Sequence, residues 1–192
     1  DNCGVASVIA SPETLVLGPN TVTWTVTDNS GNPASCTQVV TVLDNQNPKI
    51  SCADPILVNA DAGVCTYASS QLVKPSATDN CHVASVIASP ATLALGNNTV
   101  LWTVTDDSGN TATCSQSVRV IDIQDPLITF CPGAQTVETN TNNDTYRHSG
   151  TSWNALATDN CSVSSVIYTL SGVTTGTGTT LNNVEFNEGL TT

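Results

Sequence analysis

The feature that most limits how this chain can fold is a repeat. Residues 21–36 read Thr-Val-Thr-Trp-Thr-Val-Thr-Asp-Asn-Ser-Gly-Asn-Pro-Ala-Ser-Cys, and residues 99–114 return almost the same string. The tripeptide Asp-Asn-Cys begins at Asp1, Asp79 and Asp159, and about three-quarters of positions 1–44 match positions 79–122 without a gap. A third, diverged copy keeps Pro126, Cys131, Tyr146 and the run Ala157-Thr158-Asp159-Asn160-Cys161. Within the string, Val22, Trp24 and Val26 alternate with threonines, the period of a strand with one face in a core and the other in water. Asp28-Asn29-Ser30-Gly31-Asn32 supplies turn formers, and a second alternating run ends in Val40 and Val42. The repeated string is therefore a β-hairpin.

Linkers read as Asp44-Asn45-Gln46-Asn47-Pro48 and Asp122-Ile123-Gln124-Asp125-Pro126. They divide the chain into 1–44, the C-terminal part of a truncated repeat; 45–122, a complete repeat; and 123–192, the N-terminal part of a third. A chain that starts at Asp-Asn-Cys starts in mid-repeat, so an interior window of a longer polypeptide is expected. In the complete repeat the spacing predicts a first strand over 49–58 interrupted at Asp54-Pro55, then strands over 65–73, 83–88 and 92–95, then the hairpin. Short strands with turn signals between them predict an all-β fold of tandem Ig-like antiparallel β-sandwiches.

A net charge of -12 with only four Lys or Arg excludes phosphate-rich partners, so no nucleic acid is expected. No apolar run approaches the roughly 18 residues that cross a bilayer, so no membrane insertion is expected in this stretch. Eight cysteines recur at fixed places in the repeat. None makes a Cys-x-x-Cys pair, so disulfides and an oxidising, extracellular location are the natural reading. Four cysteines in the complete repeat allow three connectivities, which spacing alone leaves open. In an Ig-like path the first and last strands run parallel, which would bring Cys52 near Cys114 and leave Cys65 with Cys81 by elimination. Asp144 or its neighbour stands where a Cys65-type cysteine would be in the third copy, so Cys161 is expected to lack a partner. Cys3 and Cys36 are expected to pair upstream, and Cys131 downstream.

The strings Ala77-Thr78-Asp79-Asn80-Cys81, 98–114 and Asp125-Pro126-Leu127-Ile128-Thr129-Phe130-Cys131-Pro132, in that order, resemble the hyalin repeat, or HYR module. The resemblance covers essentially the whole chain. It implies an Ig-like fold, an extracellular setting, a role in adhesion and a regular cysteine pair at Cys52 and Cys114. Near-identical tandem copies rich in Thr, Asn and Asp also look like the large surface adhesins of Bacteroidetes-type bacteria, including those exported by a type IX system and used in gliding. The sequence departs from the family at Cys52, which Ala53 follows where proline is usual, and in the third copy's cysteines.

No catalytic constellation emerges. The histidines are His82 and His148, and the position of His82 is Gly4 in the first copy and Ser162 in the third, so an enzyme is not expected. Calcium is the candidate ligand, through oxygens of Asp44, Asn45, Asn47, Asp79, Asp106 and Asp107 at one junction and Asp122, Asp125 and Asp159 at the next. The competing and favoured reading is that Asp and Asn cap their own turns. Trp24 and Trp102 lie in phase with valines and are expected in a core, in preference to a sugar-stacking role. The function expected is a non-enzymatic adhesin or surface-fibre stalk. Its partners would be neighbouring repeats of the same polypeptide, and surface glycans, matrix or anchoring machinery. The alternative is a carbohydrate- or protein-binding module accessory to a secreted polysaccharide-degrading enzyme.

Overall fold

The structure is a computed structural model that describes residues 2 and 4–192. Residues 2–44 hold β1 (Val5–Ser11), β2 (Gly18–Asp28) and β3 (Pro33–Val42). Residues 45–122 hold β4 (Lys49–Ser51), β5 (Ile56–Asn59), β6 (Thr66–Ala68), β7 (Ser76–Thr78), β8 (Val83–Ser89), β9 (Thr92–Ala94), β10 (Gly96–Asp106) and β11 (Thr111–Ile121). Beyond them lie β12 (Leu127–Phe130), β13 (Thr145–Arg147), β14 (Leu156–Thr158), β15 (Tyr168–Leu170), β16 (Gly176–Gly178) and β17 (Glu185–Asn187). The fold is all-β and Ig-like. A three-stranded sheet has the order β1-β2-β3 and a four-stranded sheet the order β5-β11-β10-β8, while β4 pairs with β7 and β6 with β9.

The chain forms two compact units, Asp1–Asp54 with Leu72–Ser89 and Val100–Gln116, and Pro55–Gln71 with Pro90–Thr99 and Ser117–Thr192. In the first, β2 and β3 pair without interruption from Gly18↔Val42 to Thr27↔Pro33, as the alternating threonines and valines require. Aspartate builds the hairpin turn. Asp28 Oδ1 accepts from the backbone N–H groups of Ser30 and Asn32, both at 2.8 Å, and Asp106 Oδ1 accepts from Ser108 and Asn110 at 2.9 and 2.8 Å. Hydrogen bonds from Asn32, side chain first and then backbone, hold the Asp28 carboxyl below its ordinary value of 3.8. Gly31 and Gly109 complete the two turns at φ of 89° and 88°, a region that L side chains rarely adopt.

Val100, Trp102 and Val104 are buried at alternate positions of β10, with Leu72 and Val22 also in the core of this unit. Trp102 is 1% exposed, and its Nε1 donates to Gln116 Oε1 at 3.0 Å; Gln116, itself buried, donates to Asp54 O at 3.0 Å. Trp24 makes the corresponding bond to Gln38 at 3.1 Å but is 39% exposed. The core role expected for both tryptophans is thus filled by Trp102 alone. The strands described in residues 2–44 are the counterparts of β8, β10 and β11, whereas the complete repeat also has β4 to β7 and β9.

The predicted first strand does break at Asp54-Pro55, and it changes partners there. β4 pairs antiparallel with β7, whereas β5 runs parallel to β11 from Ile56↔Val118 to Asn59↔Ile121. Proline lacks the N–H that would continue the first ladder, so the break falls where a donor is missing. The strand expected over 65–73 stops at Ala68, because the chain turns through a 3-10 helix at Ser69–Gln71. Both the N–H and the hydroxyl of Ser69 donate to Ala91 O, at 2.9 and 3.1 Å.

In the second unit Leu93, Val118 and Val120 are buried. Its later part repeats the β4–β7 pairing as β12 with β14 and then departs, with β13 paired to β17 and β15 to β16. Trp153 stacks on His148 at a centroid distance of 4.0 Å, and Tyr146 and Phe186 stand 5.6 and 5.8 Å from it. His148 is 3% exposed, and neither ring nitrogen has a hydrogen-bond partner. A buried polar group without a partner costs stability that an apolar ring of like shape does not. His148→Phe is therefore expected to raise the unfolding free energy by about 1 kcal/mol in urea titration.

Candidate functional site

The residues that carry chemistry gather at the joints between repeats. At the joint after residue 122, Asp159 Oδ1 accepts from the N–H groups of Cys161 and Ser162 at 2.8 and 3.0 Å, forming an Asx-type turn. That turn presents Asn160, whose Nδ2 donates to Asp122 Oδ1 at 3.3 Å and to Val64 O at 3.1 Å. Gln124 holds the linker from the other side, accepting from Gly63 N–H at 3.2 Å and donating to Asp61 O at 3.4 Å. Asp61 in turn has its carboxylate bound by Ala68 N–H and Gln71 Nε2, at 2.9 and 2.8 Å. A disulfide between Cys65 and Cys161 closes the joint, with Cα atoms 4.6 Å apart. The bond joins the complete repeat to the stretch that follows it.

The joint at residue 44 uses the same parts. Asp79 Oδ1 accepts from Cys81 and His82 N–H at 2.9 and 3.3 Å, and Asn80 Nδ2 donates to Asp44 Oδ1 at 3.4 Å. Asp44 Oδ1 also takes the N–H of Gln46 at 3.1 Å, and its carbonyl takes Asn110 Nδ2 at 3.3 Å. The Gln46 bond is the main cause that holds the Asp44 carboxyl below its ordinary value. Here the cysteine of the turn, Cys81, is a free thiol.

Cys52 is bonded to Cys114, with Cα atoms 5.8 Å apart. The pairing of Cys65 with Cys81, reached by elimination, is corrected: Cys65 bonds Cys161, and the expectation that Cys161 lacks a partner falls with it. The reason is local. Cys65 ends a turn held to the linker through Gly63 and Gln124, whereas the Cys81 turn is held to Asp44 through Asn80. Each cysteine therefore stays with a different linker. Cys36 and Cys131 are exposed thiols, and Cys3 lies outside the described residues.

The calcium candidates divide in the same way. Asp44, Asp79 and Cys81 offer ligand atoms within 4.8 Å of one another, as do Asp122, Asp159 and Cys161. Calcium takes about six to eight oxygens. Each set supplies two carboxylates whose Oδ1 atoms cap backbone N–H groups, Asp44 Oδ2 and Asn160 Oδ1 are buried without a hydrogen-bond partner, and Cys161 Sγ is in a disulfide. Asp106 is 2% exposed and its carboxylate is bound within its own turn. Asp107 pairs with His82 Nδ1 at 3.0 Å on the surface, and Asn45, Asn47 and Asp125 are exposed. Adding a chelator is expected to leave each sandwich folded and at most to loosen the joints, so a large downward shift of the unfolding curve in calorimetry would make the metal structural.

Gln46, whose backbone N–H bonds Asp44, and Gln124, whose side chain also holds its linker, were not singled out by sequence reasoning, although they recur at the same place in both linkers. The His82–Asp107 pair also had a signal. The equivalent positions carry Gly4 and Asn29 in the first copy, so both members change together. A Cβ added at Gly4 would meet Asn29 Nδ2 at 2.8 Å, which ties the two positions sterically as well.

Small β-sandwiches with an internal disulfide, serially joined through capped linkers, define a class of extracytoplasmic tandem Ig-like modules. Residues 43–120 match the HYR domain. The chain is 35% identical over 115 residues to the Sushi, von Willebrand factor type A, EGF and pentraxin domain-containing protein 1 of Rattus norvegicus, covering 57% of this chain and 3% of that protein. It is 27% identical over 137 residues to Hyalin of Strongylocentrotus purpuratus, covering 64% of this chain and 11% of Hyalin. The chain thus spans a small fraction of these relatives. Protocadherin Gamma B7 extracellular cadherin domains 1-4 align at 10% identity over 80% of this chain and 58% of that one, with a TM-score of 0.30, too low to bear on fold or function.

Proposed function

We propose that the chain is a section of a non-enzymatic extracellular adhesin or surface fibre, whose repeats give reach and present their end loops in many copies. The observation that carries this reading is the joint at 122. A linker gripped by Asn160, Gln124 and the 61–65 turn, and bridged by Cys65–Cys161, resists bending in a way that a free proline-containing linker does not. Near-identical copies of the turn loops around Asp79 and Asp106 favour avidity from weak sites repeated along an array. In its sharpest form the reading is a large bacterial surface adhesin of the gliding type, which the near-identity of the copies supports, although the similar proteins are animal ones. Replacing both Cys65 and Cys161 with serine should broaden the distance distribution in small-angle X-ray scattering while the repeats stay folded. An unchanged distribution would remove the stalk.

The accessory-module alternative is favoured by one feature, an open groove of about 420 Å³ lined by Asn97, Asn98, Thr99, Ser117 and Arg119 beside Ile56. Amide and hydroxyl groups over an apolar floor suit a saccharide. A glycan array with the whole chain separates the two, since no binding leaves the structural reading alone.

A further inference from the structure

The two Asp-Asn-Cys turns are built alike, yet only one of their cysteines is bonded. In each, the aspartate Oδ1 takes the cysteine N–H, the asparagine Nδ2 donates to the linker aspartate, and the same Nδ2 stands against the cysteine sulfur, at 3.2 Å for Cys81 and 3.5 Å for Cys161. The linker aspartates, Asp44 and Asp122, each also take the N–H of the residue two places on, Gln46 and Gln124. Cys161 is joined to Cys65, which lies one repeat earlier. We propose that Cys81 is likewise one half of an inter-repeat disulfide, whose other half is a Cys65-type cysteine on the turn of a repeat set directly before residues 45–122.

The repeat register supports this assignment. Residues 1–44 contain Cys3 and Cys36, the counterparts of Cys81 and Cys114, and no counterpart of Cys65. Forming the bond takes a hydrogen from each thiol, two protons and two electrons in all. A small-molecule disulfide such as oxidised glutathione accepts them and leaves as two thiols. Desolvation, the hydrogen bond to Asp44 and the charges of Asp44, Asp79 and Asp106 push the Cys81 thiol above its ordinary value. A thiol of that kind is a slow leaving group, so a disulfide closed on it resists exchange.

The inference rests on the tandem order of the repeats and not on the adhesive role, which scattering and glycan binding test separately. Peptide mapping of the whole chain, oxidised with glutathione and alkylated in denaturant, should find Cys65 linked to Cys161 and Cys81 alkylated. A Cys65–Cys81 peptide would overturn the proposal. A second chain would carry an extra copy of residues 45–122 between Asp44 and Asn45. In it the inserted copy's Cys65 should be linked to the original Cys81, so that a Cys65–Cys81 peptide appears and Cys81 alkylation falls by half, the inserted copy's own Cys81 staying alkylated, with Cys65–Cys161 retained. The inserted copy's own Cys52–Cys114 link reports that it has folded. Cys81 still fully alkylated in that folded chain would sink the idea.

Discussion

Trp102→Ala is expected to destabilise the protein by about 3–5 kcal/mol, the range for removing a large aromatic side chain from a core. The equivalent change at Trp24 should cost about 1 kcal/mol or less, nearer the range of surface substitutions. The two residues share a sequence context and a hydrogen bond to glutamine, and they differ in exposure, 1% against 39%. Trp102→Ala also strips the donor from Gln116 Oε1, which is buried in its turn. Trp102→Phe separates the contributions, because it keeps most of the ring volume and forfeits only the N–H, leaving a buried acceptor unpaired at a cost of about 1–3 kcal/mol. Urea titration followed by circular dichroism checks all three. Equal losses at Trp24 and Trp102 would mean that the two hairpins are covered alike, contrary to the structure.

The second large effect belongs to sulfur. Replacing Cys52 and Cys114 together by alanine should lower stability by about 4 kcal/mol, the chain-entropy value for a loop of this size. The sequence separation is 62, and the bond fastens the end of β4 to β11 beside the buried Gln116. Cys36→Ser with Cys131→Ser is the control, and it should change stability by no more than about 0.5 kcal/mol, since both thiols are free and exposed. Thermal melts with and without dithiothreitol extend the comparison to both disulfides of the unaltered chain. A melting temperature indifferent to reductant would contradict the role given to this bond.

The hairpin was plain in the sequence because its alternation, its aspartate and its glycine each specify the same local structure. Val100, Trp102 and Val104 are buried where period two places them, and Asp28 and Asp106 spend their carboxylates on their own turns. The break at Asp54-Pro55 was legible for a similar reason, proline being unable to donate. The Cys65–Cys161 bond was not. Elimination within one repeat assumes that a repeat is closed on itself, whereas Cys65 sits on a turn tied to the following linker. The missing cysteine near Asp144 was the available clue, since a lone Cys161 then requires a partner from outside its own copy. The stretch after Cys131 was the least readable, because its pairings, β13 with β17 and β15 with β16, join segments without alternating patterns. Trp24 illustrates a different limit: periodicity says which way a side chain points and says nothing about what covers it.

The change of partner at Pro55 has a mechanical consequence for anything tethered through these repeats. Tension along the polypeptide would enter the complete repeat ahead of β5 and leave it through β11, and these two strands lie side by side and point the same way. Opposed pulls on such a pair act in shear, so its four paired positions resist together instead of unzipping in succession. The Cys52–Cys114 bridge lies ahead of the paired positions of both strands, and it keeps the intervening chain from being drawn out. An oxidised repeat under load would then yield little length before its covalent backbone is taut, which is the behaviour of a tether and not of a spring.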